Sequence, residues 1–321
     1  MPAKNKILVV GSVAYDNLMR FDGEFKNVMV NGKHSFAVTV SGRDISYGGC
    51  GGNIAYSLNL LGEMPMLMSS VGRDFGDYGA RFGTLGISTG HLTVSKKHLT
   101  ASAFICTDSK ENQVTFFDAG AMGAVSETPG LKTLKRVGIA WAIISPDNAT
   151  RMINAARACK KLDIPFVFDP GQQIPFYKVS DLKWAVNNCT VLVLNDYEAG
   201  LLSKTLKVSK QALSGMMPVY IETLGDKGSL VKIRGDGTFR EGSFTVPAVK
   251  PARILDPTGC GDAFRAGLLT ALKHKLSIKK AVQAGALVAT YKLEKPGTQN
   301  HRFTRKQFNK RYRQNFGVNI F

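Results

Sequence analysis

The chain has 321 residues, which suits one large α/β domain with a small addition, and its 44% hydrophobic and 21% charged residues are typical of a globular protein. No apolar run approaches the roughly 18 residues that a membrane-spanning helix needs, and neither G-x-x-x-x-G-K-[ST] nor G-x-G-x-x-G occurs. These patterns exclude a membrane span, a P-loop and the dinucleotide-binding glycine motif. The five cysteines are scattered without a C-x-x-C pair, which favours reduced thiols and a cytoplasmic location over a zinc site or a disulfide framework.

Short apolar runs alternate with amphipathic stretches along most of the chain. The predicted strands are Ile7–Val10, Met66–Val71, Trp141–Ser145, Pro165–Asp169, Val191–Asn195 and Val219–Thr223. The predicted helices are Asn53–Leu61, Phe75–Leu85, Ala149–Leu162, Tyr197–Ser203, Asp262–Lys273 and Ile278–Leu293. This alternation predicts an α/β fold whose parallel sheet is covered by helices on both faces, with ligands at the carboxyl ends of the strands. Asp16, in the turn after the first strand, and Asn195 and Thr223 fall at or just beyond such ends.

Two stretches, residues 21–45 and about 101–118, lack helical periodicity and predict a second, small β element. Its predicted strands are Phe36–Val40, Ser102–Thr107 and Gln113–Phe117, and Asp108–Asn112 is predicted to form a hairpin turn between the last two. The remaining residues, 1–20, 46–100 and 119–321, form the large α/β domain in this division.

The segment Asp256–Gly267 carries the strongest functional signal. Gly259 and Gly261 flank Cys260, so the backbone can turn tightly with its N–H groups directed at one point, and an apolar helix follows. Helix N-termini bind anions, most often phosphate. The Asp262 carboxylate would repel such an anion, so its presence there indicates a chemical role. Taking a proton from an attacking hydroxyl group is such a role. A glycine-rich turn with an aspartate cap is the alternative interpretation of this motif alone.

The most basic stretch lies at the end of the chain, although the net charge of the whole chain is also high, at +18. Between Lys295 and Phe321 there are seven Lys and Arg residues and no acidic residue. Four aromatic residues recur there at nearly helical spacing: Phe303, Phe308, Tyr312 and Phe316. We expect this aromatic face to pack on the core and the charges to face solvent, so dedicated nucleic-acid binding is not expected.

The glycine-rich segment resembles the D-T/P-x-G-x-G-D signature of the ribokinase-like (PfkB) family of carbohydrate and nucleoside kinases. Three further motifs occur in the order and spacing of that family: Gly48–Ala55, similar to its Gly-Gly turn into a helix, Asn195–Glu198, similar to N-x-x-E, and Thr223–Gly228, similar to T-x-G-x-x-G. The resemblance covers residues from about 6 to 300. It implies a central, mostly parallel sheet covered by helices on both faces, with a small β-sheet lid that also allows a homodimer contact.

The resemblance also implies roles for the matching residues. Asp262 would act as the general base, while the backbone amides of Gly259, Cys260 and Gly261 hold the charge on the transferred phosphoryl group. The substrate-binding residues would be Ser12, Asp16, Gly48, Gly49, Asn53, Phe117 and Gln172. ATP, as phosphate donor, would contact Asn195, Thr223, Gly225 and Gly228. Glu198 and Asn195 would organise Mg²⁺ through water, and K⁺ is a further cofactor that the resemblance allows.

Several details resemble the bacterial adenosine kinase branch of the family, among them Gly120–Met122, Asp169–Gln173 and Gly297–Gln299. The implied reaction is phosphorylation of the adenosine 5′-hydroxyl to give AMP, in purine salvage. In that branch lid aromatics sandwich the purine, and Phe117 fits one of them, whereas a small residue, Ala103, replaces the other. Inosine, guanosine and cytidine therefore stay open as substrates, as does a sugar kinase of the same fold. Asp262 argues against a binding protein without activity, because such a protein would not need a carboxylate beside the phosphate.

Overall fold

The computed structural model describes residues 5–28, 37–124, 131–235 and 239–321. The strands are β1 (Lys6–Val10), β2 (Ala14–Arg20), β3 (Gly42–Gly48), β4 (Pro65–Met68), β5 (Ser70–Val71), β6 (Thr93–Val94), β7 (Ala101–Thr107), β8 (Gln113–Asp118), β9 (Ile139–Ile144), β10 (Phe166–Phe168), β11 (Val191–Asn195), β12 (Val219–Thr223), β13 (Ser229–Ile233) and β14 (Gly242–Val246). The α-helices are α1 (Phe25–Val28), α2 (Cys50–Leu60), α3 (Gly76–Thr84), α4 (Gly120–Ala124), α5 (Leu131–Val137), α6 (Ala149–Lys161), α7 (Val179–Asn188), α8 (Asp196–Leu206), α9 (Lys210–Ser214), α10 (Cys260–Lys273), α11 (Ile278–Leu293) and α12 (Arg305–Phe316). Short 3₁₀ helices lie at Gly171–Phe176 and Gly225–Lys227.

An eight-stranded sheet forms the centre of the described structure, in the order β14-β13-β12-β11-β10-β9-β1-β4. The strands from β4 to β12 in that order pair in parallel, and β13 and β14 add an antiparallel edge. Successive side chains of β1 enter different cores: Ile7 and Val9 pack with α2, α10 and α11, whereas Leu8 and Val10 pack with α6, α7 and α8. The predicted parallel sheet with both faces covered is therefore confirmed.

The carboxyl ends of β11 and β12 place two predicted site residues side by side. Asn195 and Thr223 are the last residues of these strands and are paired in register. Both strands have the predicted bounds. Four apolar residues precede Asn195 in β11, as is typical of a buried parallel strand, whereas β12 includes the buried Glu222 before Thr223.

A separate four-stranded sheet has the order β3-β2-β7-β8. Strands β7 and β8 form the predicted hairpin, and Asp108 stabilises its turn by accepting hydrogen bonds from the backbone N–H groups of Lys110 (2.8 Å) and Asn112 (2.9 Å). This small sheet matches the lid that the family resemblance implies.

Two details of the small sheet differ from the prediction. Asp16 does not lie in a turn after β1; it lies within β2, opposite Ser46 and Ala103, so residues 14–20 belong to the small sheet rather than to the large sheet. The predicted strand Phe36–Val40 was wrong in its described part, since residues 37–40 have no regular structure and β3 follows them; Phe36 lies outside the described residues. Both differences concern strands whose pairing partners are distant along the chain, so their positions are not determined by the local sequence.

The basic C-terminal segment packs as predicted. Phe308 and Tyr312 on α12 are fully buried in the core, and Phe303 is buried just before the helix. Thr304 and Gln307 form a capping box at the start of α12. The charged side chains on the other face are exposed, except that Arg311 forms a bidentate ion pair with Glu294. None of the helices in the described parts of the chain is long and apolar enough to cross a membrane.

Candidate active site

Two helices meet at the candidate site, and each begins after a glycine with a positive φ. Helix α2 follows Gly49 (φ 84°) and α10 follows Gly259 (φ 78°), and neither has a side-chain cap. A Cβ atom on Gly49 would lie 2.6 Å from the Ala14 nitrogen and from the Ser12 carbonyl oxygen, so the turn tolerates only glycine. The positive ends of two helix dipoles are thereby directed at one place, where they favour a bound anion.

Asp262 lies in the first turn of α10, and its carboxylate is held by the first turn of α2. Asn53 Nδ2 donates a hydrogen bond of 2.8 Å to Asp262 Oδ2. Burial raises the pKa of Asp262, although the bond from Asn53 and the nearby Arg265 guanidinium oppose that rise. A half-buried carboxylate with a raised pKa, fixed at a helix N-terminus, is suited to accept a proton.

Two cavities of about 470 and 300 Å³ adjoin at Asp262. Asp262, Gly259, Gln172, Cys50 and Pro146 line both of them. The larger cavity also contains Asn195, Glu198, Thr223 and Gly225, and we call it the donor cavity. The smaller one also contains Ser12, Asp16, Gly49, Asn53 and Phe117, and we call it the acceptor cavity. A group that binds in one cavity can therefore react with a group in the other beside Asp262.

In the acceptor cavity the sequence-predicted polar residues come together. Asp16 projects from β2, and burial, together with the smaller effect of the nearby Asp262 carboxylate, raises its pKa to about 6. Gly48 lies directly beneath it, because a Cβ atom there would lie 2.2 Å from Asp16 Oδ2. Ser12 is buried and accepts a hydrogen bond of 3.1 Å from the Cys50 N–H group. A carboxylate beside the Asn53 amide is an arrangement that can bind a pair of hydroxyl groups.

Phe117 supplies an aromatic face to the same cavity. It lies on β8 opposite Ala103 of β7, and both residues line the cavity. The Phe117 side chain is 53% exposed, so its ring has an uncovered face. Phe104 and Phe116 are the neighbouring pair and point to the other face of the sheet, since side chains alternate along a strand.

In the donor cavity Asn195 and Glu198 form a capping box at the start of α8. The Asn195 side chain accepts a bond of 2.7 Å from the Glu198 N–H group, and Glu198 Oε2 accepts one of 2.8 Å from the Asn195 N–H group. Thr223 Oγ1 donates to the Leu194 carbonyl oxygen (3.3 Å). Glu198 therefore caps helix α8, and both capping residues also line the cavity.

Three predicted residues, Gly48, Gly228 and Cys260, line neither cavity. Gly228 lies in the turn between β12 and β13, where a Cβ atom would approach the Val246 carbonyl oxygen to 2.1 Å, so the fold itself requires glycine there. The Cys260 N–H group donates to the Pro257 carbonyl oxygen (3.1 Å) and its thiol contacts the Ala289 carbonyl oxygen (3.6 Å). The ligand roles assigned to Gly48, Gly228 and Cys260 stay predictions.

Arg265 and Asp169 form an ion pair that the sequence alone did not predict. Both side chains are buried and line the donor cavity, and Arg265 donates from its second terminal nitrogen to Asp169 Oδ1 (2.8 Å). Burial lowers the pKa of Arg265, but the Asp169 carboxylate outweighs it and holds that pKa above its ordinary value. A Cβ atom on Gly261 would lie 2.7 Å from the Arg265 guanidinium, so a permanent cation stands at the start of α10. It can help to balance the charge of a phosphoryl group.

Gln299 was also missed as a site residue. Its Nε2 donates to Asn53 Oδ1 (3.1 Å) and to the Tyr78 hydroxyl, which in turn donates to the Gly48 carbonyl oxygen (2.8 Å). Because Asn53 Oδ1 accepts from Gln299, Nδ2 faces Asp262. Asn53 and Gln299 are 246 residues apart along the chain, so only the three-dimensional structure reveals that Gln299 orients the Asn53 amide.

The donor cavity fits Mg²⁺, the metal that the family resemblance implies. No cluster of three or more His, Cys, Asp or Glu side chains that could hold a metal occurs in the described parts of the chain. Mg²⁺ retains several water ligands and needs few protein ligands, however, and it prefers oxygen. The Glu198 carboxylate and the Asn195 amide oxygen would supply such ligands at the edge of the cavity.

Comparison with known proteins agrees with this geometry. Residues 4–305 match the model of the pfkB family carbohydrate kinases. A nucleoside kinase from Methanothermobacter thermautotrophicus is 28% identical over 308 residues, which are 94% of this chain and 93% of that protein. The structure of Burkholderia thailandensis nucleoside kinase in complex with inosine is 33% identical, with a TM-score of 0.84 over 98% of this chain and 99% of that chain.

Methanocaldococcus jannaschii nucleoside kinase, described as an archaeal member of the ribokinase family, has a TM-score of 0.85 at 25% identity and covers 97% of this chain and 99% of its own. The family match spans nearly the whole chain, and the fold, the helix-terminal anion site and the buried aspartate agree with it. The chain therefore belongs to the pfkB family of carbohydrate kinases and is an ATP-dependent kinase that transfers a phosphoryl group to a hydroxyl group.

Proposed function

We propose that this kinase phosphorylates the 5′-hydroxyl of nucleosides, with adenosine as the preferred substrate and AMP as the product, in purine salvage. The observation that carries the proposal is the composition of the acceptor cavity, which combines the Asp16 carboxylate and the Asn53 amide with the uncovered ring of Phe117. A ribose offers a pair of hydroxyls to the polar end, and a base offers a flat face to the ring. A free sugar would leave Phe117 uncovered.

In the proposed mechanism Asp262 takes the proton of the 5′-hydroxyl as its oxygen attacks the γ-phosphorus of ATP, and ADP leaves. Asn53 holds the carboxylate toward the acceptor cavity. The N-terminus of α10 and the Arg265 guanidinium stabilise the charge on the transferred group. Positioning and electrostatic stabilisation supply most of the rate increase in phosphoryl transfer.

Mg²⁺ is proposed as the cofactor, bound at the donor cavity through water by Glu198 and Asn195. When bound, it neutralises phosphate charge. Thr223 and Gly225 line the same cavity, which supports the proposal that they contact ATP.

The proposed setting is the cytoplasm, and the proposed assembly is a homodimer through the lid. All five cysteines are free, which is consistent with a reducing compartment. The face of the small sheet opposite the acceptor cavity carries exposed Ile45, Phe104 and Phe116, an apolar surface that a second copy could cover.

We expect kcat/KM for the nucleoside to fall as the pH falls through about 6. The pKa of Asp16 is raised to about 6, so the carboxylate is lost at a higher pH than in an ordinary aspartate, and Asp262 shifts in the same direction. At pH 5 kcat/KM should be about tenfold below its value at pH 7.5, because only ionised Asp16 accepts both hydroxyl bonds. A profile that stays flat down to pH 5 would contradict this assignment.

Phe117→Ala is expected to raise KM for adenosine by about 5–150-fold, since base stacking contributes about 1–3 kcal/mol. KM for ATP should change little. The matched control is Phe116→Ala, which removes the next ring along β8 from the opposite face of the sheet. Initial rates with both variants separate stacking from general effects on the lid.

The substrate class is tested by comparing kcat/KM for adenosine, inosine, guanosine, cytidine, ribose and fructose with MgATP. We expect adenosine first and the other nucleosides next, because Ala103 leaves one face of the base without an aromatic partner. A sugar with the highest kcat/KM would replace the nucleoside proposal with a sugar kinase.

A further inference from the structure

Lys292 in the last turn of α11 is fully buried, with 0% of its surface exposed. Lysine is seldom buried to this extent unless its ammonium group is paired. It is one of the largest fully enclosed side chains of the described structure, yet it touches neither cavity.

Three oxygen atoms surround the ammonium group. Lys292 Nζ donates to the carbonyl oxygens of Asp256 (2.6 Å) and Lys295 (3.2 Å), and it lies 3.4 Å from Asp256 Oδ2. An ammonium group has three donors and no acceptor, so this set matches it in number and in charge. Two main-chain carbonyls and a carboxylate are also hard oxygen ligands, the kind that an alkali cation would need.

The same oxygens belong to the loop that leads into α10. Asp256 Oδ1 accepts from the Thr258 N–H group (2.8 Å), and Oδ2 accepts from the Gly297 N–H group (2.8 Å). Thr258 lines the acceptor cavity, and Gly259 lines both cavities. The loop from Asp256 to Gly259 thus connects the buried ammonium directly to the anion site.

A second contact holds this loop to the end of α11. The backbone N–H groups of Leu255 and Asp256 both donate to the Leu293 carbonyl oxygen, at 2.9 and 3.3 Å. Although burial opposes it, hydrogen bonds from Thr258 and the Lys292 ammonium lower the pKa of Asp256, so its carboxylate stays charged. The loop is therefore anchored by one cation and one helix end.

We propose that Lys292 is a positioning residue whose ammonium serves as a built-in monovalent cation for the anion-site loop. K⁺, the further cofactor that the family resemblance allows, does not fit against these oxygens, because Lys292 already occupies them. Phosphoryl transfer should then proceed without added K⁺. This inference rests on the kinase activity and not on the identity of the acceptor.

The first test uses the wild-type enzyme in buffers that contain choline, Na⁺ or K⁺ at equal ionic strength. The nucleotide products are measured directly by chromatography with the best acceptor found, because common coupling enzymes themselves need K⁺. We expect kcat to agree within about twofold among the three buffers. A tenfold or greater activation by K⁺ would overturn the proposal, and no variant is needed for that result.

The second test uses Lys292→Ala and Lys292→Met, with Lys295→Ala as the matched control. In choline the first two should lose about 10²-fold in kcat, since a misplaced loop costs that much. K⁺, NH₄⁺ or methylammonium should restore Lys292→Ala, which leaves room for a cation, but not Lys292→Met, whose side chain fills the space. Lys295 is exposed and contributes only its carbonyl, so its variant should retain wild-type kcat.

Circular dichroism and thermal melting establish that each variant is folded. A folded Lys292→Ala enzyme that keeps wild-type kcat in choline, or whose loss no cation restores, would show that Lys292 does not act as the cation of the loop. If Lys292→Ala does not fold, the wild-type cation series decides alone.

Discussion

Asp262→Asn is expected to lower kcat by about 10²–10⁴-fold, because it removes the general base while leaving the shape of the side chain nearly unchanged. The carboxylate lies where the donor and acceptor cavities adjoin, and Asn53 holds it there. A side-chain amide in this position would not accept the proton of the attacking hydroxyl group. Binding of the acceptor and of ATP should persist, since the helix termini, Asp16 and Arg265 are unaltered.

The experiment measures kcat with the best acceptor and, in parallel, the Kd of that acceptor and of ATP by calorimetry. The matched control is Asp77→Asn, which also removes an aspartate from the first turn of a helix, α3, but in an exposed position outside both cavities. We expect wild-type kcat for Asp77→Asn. Asp262 would be excluded as the base if Asp262→Asn retained more than about a tenth of the wild-type rate, because removal of a general base ordinarily costs far more than tenfold.

The sequence predicts those parts of the site that local rules determine. Asn195 could be placed because it ends a continuous apolar run and Thr223 because it follows shortly after one, and the sheet brings the ends of adjacent strands together. Gly259, Gly261 and Asp262 could be placed because glycine readily adopts the backbone conformation of a tight turn, and the apolar helix that follows directs its free N–H groups at that turn.

Residues whose role depends on distant partners could not be predicted. Asp16 reaches the acceptor cavity only because β2 pairs with β3 and β7, and the order of strands in a small sheet is not encoded locally. Arg265 and Asp169 are 96 residues apart, and nothing in either neighbourhood indicates the other. Lys292 looks like an ordinary basic residue near a helix C-terminus until its burial is known.

Asp16→Asn is expected to reduce kcat/KM for adenosine by about 10–150-fold, since it replaces charge-assisted bonds worth about 1.5–3 kcal/mol with weaker ones. The carboxylate is half-buried, lies against Gly48 and lines the acceptor cavity. An amide keeps one acceptor oxygen but offers a donor where the second hydroxyl needs an acceptor. KM for ATP should stay within about twofold of wild type, because the hydrogen bonds that Asp16→Asn loses are made to the nucleoside and not to ATP.

A double comparison with 2′-deoxyadenosine identifies the groups that Asp16 binds. In the wild-type enzyme the missing hydroxyl should itself reduce kcat/KM by about 10-fold or more, as expected for a lost bond to a charged group. In Asp16→Asn the same deletion should cost less than about threefold, because interacting groups are non-additive in such a cycle. Equal losses in both enzymes would mean that Asp16 does not contact the 2′-hydroxyl, and the same comparison with 3′-deoxyadenosine then decides whether it binds the ribose at all. If neither deletion couples to Asp16, its half-buried carboxylate does not bind the ribose. Asp16 then affects the reaction through Asp262, because each negative carboxylate disfavours ionisation of the other.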